Sequence, residues 1–121
     1  MRIAWIGGVA AAAILGVASG ARADGDKLAW TGTGAGSHHC VTYVMHVDME
    51  VQADKVVGTF QQKGRPKYTF SFPKDASGNY SGSVKLSNGD PLKIKGSATA
   101  DGGTIDMDGY CHFVGKLAKS S

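Results

Sequence analysis

The chain alternates most clearly from residue 41. Val41, Tyr43, Met45, Val47, Met49 and Val51 share one face of an extended chain, and Thr42, Val44, His46, Asp48, Glu50 and Gln52 share the other. Five of those six partners are polar, which is the period-two signature of a half-buried strand. Tyr68 to Phe72, Tyr80 to Leu86 and Leu92 to Ala98 repeat it. Turn-forming clusters separate these runs at Gly64-Arg65-Pro66, Ala76 to Asn79, Asn88 to Pro91 and Asp101 to Gly103. The pattern predicts eight strands, at 27–33, 41–52, 56–61, 67–72, 79–86, 91–99, 103–108 and 111–118. No helical period follows residue 23. Connections of two to seven residues are too short for parallel crossovers. The expected fold is all-β: an antiparallel up-and-down meander closed, or nearly closed, into a small barrel, which also removes sheet edges. A two-layer β-sandwich is the second choice.

A short pattern recurs inside these strands. Trp30-Thr-Gly32, Val56-Val-Gly58, Tyr80-Ser-Gly82, Ile94-Lys-Gly96 and Phe113-Val-Gly115 each place a large apolar residue two before a glycine, on the same face. The uneven spacing excludes a solenoid. Inward glycines let strands coil tightly and make room for facing aromatics; alternatively they hollow out a ligand cavity. The inward face carries eight aromatics: Trp30, Tyr43, Phe60, Tyr68, Phe70, Phe72, Tyr80 and Phe113. An eight-stranded interior is either just filled by such side chains or holds one small ligand.

The first 23 residues follow a different rule. Met1 and Arg2 precede an apolar run from Ile3 to Val17, and Ala21-Arg22-Ala23 fits the small-x-small rule for cleavage. This reads as a secretory signal peptide at 1–23, with a single barrel-like domain at 24–121. The run is short for a membrane span, so no integral membrane protein is expected after cleavage. Cleavage would remove Arg2 and Arg22, leaving eleven basic against ten acidic residues. A charge of +1 makes no case for nucleic acid as a partner. The expected location is periplasmic or secreted.

Export makes Cys40 and Cys111, the only cysteines, a disulfide by default. In an up-and-down barrel, strands 2 and 8 run the same way with strand 1 between them. Both cysteines then sit at one rim. Regular positions two strands apart are ~10 Å from each other, whereas a bridge needs Cα atoms within about 7 Å. Cys40 must therefore lean in from the loop that precedes strand 2.

The bridge would gather His38, His39 and His112 near that rim. Imidazole suits copper or zinc, so these three are the candidate metal ligands; surface histidines beside a disulfide are the plainer reading. Met45, Met49 and Met107 fall on the core face and His46 on the solvent face, so none of these joins them. Lys63, Arg65 and Lys67 concentrate positive charge in one hairpin loop and are the candidate binding residues for an anionic partner. Lys85, Lys93 and Lys95 point outward from strands 5 and 6 and extend this basic character. Asp106 and Asp108 flank Met107 on the outer face, near Asp101, and read as solvated carboxylates. No nucleophile elbow, P-loop, dinucleotide fingerprint or zinc-protease helix is present, and no catalytic residue is assigned.

Three classes of function follow. The first is an exported non-catalytic barrel, expected to be monomeric, that binds a protein or cell-envelope macromolecule, with enzyme inhibition as one mode of action. The second is a carrier of a small hydrophobic ligand or haem. The third is a copper- or zinc-binding protein using the rim histidines. Apart from that metal, no cofactor is expected.

Overall fold

The computed structural model describes residues 25–36 and 39–120. The signal-peptide assignment at 1–23, and His38, lie outside them. The eight strands are β1 (Asp26–Thr33), β2 (Val44–Val51), β3 (Lys55–Gln62), β4 (Lys67–Pro73), β5 (Asn79–Lys85), β6 (Pro91–Thr99), β7 (Gly102–Asp108) and β8 (His112–Lys119). They form one antiparallel sheet in the order β4-β3-β2-β1-β8-β7-β6-β5. β1 and β8, the chain's first and last strands, are thus neighbours, as an up-and-down meander requires, and the sheet curls into a nearly closed barrel.

One strand begins later than its alternation suggests. β2 starts at Val44, after a 3-10 turn over Cys40–Thr42; every other end lies within one residue of expectation. The cause is the disulfide. The Cα atoms of Cys40 and Cys111 are 5.5 Å apart, so the chain must turn inward before it can run as a strand. The Cys40 carbonyl accepts the N–H groups of Gly34 and Tyr43, each at 3.1 Å. Val41 consequently leaves the inward face and is 49% exposed.

The alternation otherwise sets the core. Leu28, Val47, Val56, Ile94, Ile105 and Met107 are almost wholly buried along the axis. Met45, Met49 and Met107 belong to this core, and no polar or charged residue is buried among the described residues. The five glycines of the recurring pattern each lie under an aromatic group. Phe70 sits on Gly58, Phe72 on Gly82, the Tyr80 hydroxyl on Gly96, and Trp30 on both Gly32 and Gly115. A Cβ at any of these glycines would overlap the ring or the adjoining backbone. They seat aromatics; none lines the mouth cavity described below.

Closure is incomplete along one line. β4 and β5 start as a hairpin at the Lys74–Tyr80 bridge, where the Asp75 carboxylate accepts the N–H groups of Ser77 and Asn79 at 2.9 Å. No ladder joins these two strands beyond that point. Phe72 against Gly82 fills the middle of the seam. At the far end the Ser87 N–H donates to the Tyr68 hydroxyl at 2.7 Å. A second thin line lies between β1 and β8, whose ladder partners are Ala29 with Ala118 and Leu28 with Lys119. Pairing resumes only at the Ala35–His112 bridge.

Two predictions follow from this architecture. The disulfide closes a separation of 71 residues, which loop entropy values at about 4 kcal/mol. The double change Cys40→Ser and Cys111→Ser should lower the unfolding free energy by about that amount in urea titrations. Tyr80 is the buried phenol whose hydroxyl donates to the Thr104 carbonyl at 2.8 Å, and burial pushes its pKa well above the ordinary tyrosine range. Above pH ~10 the unfolded chain ionises this phenol and the folded chain does not. Its contribution is therefore intact below that pH and falls by about 1.4 kcal/mol per pH unit above it. In Tyr80→Phe, stability should decline less steeply between pH 10 and 11.

Candidate functional site

The disulfide end of the barrel holds a cavity of about 240 Å3. Its floor is the buried side chains of Met45, Phe60, Leu92 and Phe113, its walls the half-buried Tyr43, Tyr68 and Leu86. Its exposed rim carries Arg65 and Pro66 of the β3–β4 loop, Ser87 and Asn88 of the β5–β6 loop, and Tyr110 of the β7–β8 loop. The cavity opens at the unladdered end of the β4–β5 seam, where Tyr68 reaches Ser87. The position follows from chain direction. β3 and β7 end here and β4 and β8 begin here, so their connecting loops crowd one mouth.

Local bonding fixes these loops. Gly64 takes φ +85° and Gly89 +91°, left-handed values that favour glycine at turns. The Arg65 N–H donates to the Gln62 carbonyl, the Gln61 side-chain amide to the Arg65 carbonyl, and the Lys63 N–H to the Val44 carbonyl, all at 2.9 Å. The Tyr68 ring stacks on Phe60 with centroids 5.3 Å apart. Its hydrogen bonds with Ser87 hold the phenol below the ordinary tyrosine range, the Arg65 charge adding to them and burial opposing. Tyr110 stands 84% exposed on a tight turn in which the Gly109 N–H donates to the Cys111 carbonyl at 3.1 Å.

The candidate residues separate. Lys63, Arg65 and Lys67 are exposed on or beside one loop at the mouth, with Arg65 in the cavity lining. Lys93 and Lys95 are exposed on β6 and stand in register with Asp108 and Asp106 of β7, so acids alternate with them on that face. Asp101 is not near those two carboxylates; it lies in the turn at the opposite end of β7. His39 and His112 each adjoin a cysteine of the disulfide. The His112 Nε2 lies 2.8 Å from Asp106 Oδ1, on the outer face. Among the described residues, no group of three or more His, Cys, Asp or Glu side chains could hold a metal ion.

The alternation placed His46 on the outer face but not its partners. Thr31 Oγ1 lies 2.6 Å from His46 Nδ1, and His46 Nε2 lies 3.0 Å from Asp48 Oδ2. Hydroxyl, imidazole and carboxylate thus lie in one hydrogen-bonded line, with the donor at each ring nitrogen set by the tautomer. That order of groups can activate a nucleophile. Here it stands on the open outside of the sheet with imidazole and carboxylate about half exposed. What it does is tie β1 to β2. The register pair Thr31–His46 was not readable without knowing how the two strands align.

No protein-family model, curated protein or solved structure matches this chain.

The rim histidines allow a direct check. Zinc and copper(II) titrations of the oxidised protein should give the same affinities, within about threefold, after His38→Ala, His39→Ala and His112→Ala are combined. A loss of tenfold or more would place a metal ion there.

Proposed function

We propose that this is an exported, non-catalytic barrel that docks a protein or cell-envelope macromolecule through the rim at its disulfide end. One observation carries the reading. Among the described residues only Val41, Tyr110 and Val114 are large apolar side chains left exposed. Two of these three adjoin the bridged cysteines: Val41 follows Cys40, and Tyr110 precedes Cys111. The covalent bridge therefore brings an exposed valine and an exposed tyrosine to one edge of the mouth. An aromatic on a rigid support, beside a pocket and a cation, is the usual make-up of a binding hot spot.

Export is supported by the Cys40–Cys111 bridge, since disulfides persist in oxidising compartments. No helix among the described residues is long and apolar enough to cross a membrane. Blocking an enzyme's active site is one way such docking would act. The carrier reading is less well supported. At ~30 Å3 for a water-sized atom, 240 Å3 holds about eight non-hydrogen atoms, far fewer than haem contains.

A photo-crosslinking amino acid placed at Val41 or Tyr110, in the cells that make this protein, should give one discrete conjugate. The same group at Thr69 or Ser81, on outward faces of β4 and β5, should give none. Equal labelling at all four positions, or no conjugate from the rim, would remove this proposal.

A further inference from the structure

Resting on that docking surface, we infer that the mouth cavity seats one large apolar side chain of the partner protein, flanked by carboxylates that Arg65 pairs with. Size comes first. Space for about eight non-hydrogen atoms matches a phenylalanine side chain and excludes a folded element. Chemistry changes with depth in the matching order. Phe60, Leu92 and Phe113 close the bottom with apolar surface. Higher up, Tyr43 and Tyr68 present rings with polar tips, which suit the neck of a pocket where an inserted group meets backbone.

Charge fixes what surrounds the inserted group. Among the described residues Arg65 is the one charged side chain lining the cavity, and no carboxylate joins it. The stretch from Gln61 to Lys67 carries three cations and no acid. The outward lysines of β6 differ, because β7 already sets Asp108 and Asp106 opposite them. Positive charge at the mouth thus has no acidic neighbour in its own loop or in the cavity wall, and a guanidinium recognises carboxylates bidentately. The loop's three hydrogen bonds hold the backbone that carries Arg65 before binding, which lowers the backbone entropy lost on docking. The exposed Tyr110 and Val41 beside the mouth give contact area that a free amphiphile of eight atoms would leave unused. A protein segment uses both.

The test is an NMR titration of the oxidised protein with capped tripeptides: acetyl-Asp-Phe-Asp-amide, acetyl-Lys-Phe-Lys-amide and acetyl-Asp-Ala-Asp-amide, with octanoate as the free amphiphile. The first should shift Tyr43, Phe60 and Phe113 and bind about tenfold more tightly than the other three ligands. Arg65→Gln should cut its affinity about tenfold, and Lys55→Gln, at the opposite end, should leave it unchanged. Arg65 is exposed, so an unchanged unfolding midpoint will show that the variant is folded. The inference is overturned if the lysine peptide binds as tightly, if octanoate binds more tightly, or if no peptide shifts the mouth residues. Rim crosslinks without peptide binding would overturn this inference and leave the docking surface standing. Peptide binding without rim crosslinks would do the reverse.

Discussion

Everything in this barrel depends on aromatic rings lying against glycines of the wall. An eight-stranded barrel encloses little more than its own side chains, and this one carries eight inward aromatics. Four of them, Trp30, Phe70, Phe72 and Tyr80, fit because glycines thin the wall where they lie. Two of these contacts also cross the lines where the hydrogen-bond ladder is thin. Phe72 on Gly82 spans the β4–β5 seam, and Trp30 on Gly115 spans β1 and β8. Close packing there holds strands together that backbone bonding leaves partly apart.

The disulfide does a second job. It bridges β1's neighbours on either side, because Cys40 leads into β2 and Cys111 into β8. Reaching 5.5 Å across two strands forces the turn that delays β2 and exposes Val41. The same cross-link that stabilises the closing strand thus shapes the rim. The opposite end of the barrel lacks such a feature; the shallow cleft there is lined by Gly25, Asp26, Gln52, Ala53 and Lys74 and is mainly polar.

The features that support the proposed docking function therefore lie at one end. Packed aromatics leave the disulfide-end mouth as the opening with an apolar floor, at a size suited to a side chain. On the outer wall Asp108 and Asp106 stand in register with Lys93 and Lys95, whereas the Lys63 to Lys67 loop has no acid of its own. These two features are what support the proposed docking site and the chemistry proposed for it.

Much of the architecture was legible in the chain. Period-two alternation gave the eight strands, because each has one wet face and one dry face. The inward methionines and outward His46 follow from the same parity. Cysteine positions on parallel-running strands gave the bridge and its geometry. What the chain could not state was which residues lie opposite one another. Thr31 meets His46 and Lys95 meets Asp106 only because neighbouring strands take one register, and Phe72 covers Gly82 only because two strands without a ladder pack at the seam. Val41 shows the limit most plainly. Its parity puts it in the core, but a covalent bond at the preceding residue turns it out. Alternation is a local property that the sequence carries by itself; register, seam and mouth are set by closure of the whole barrel.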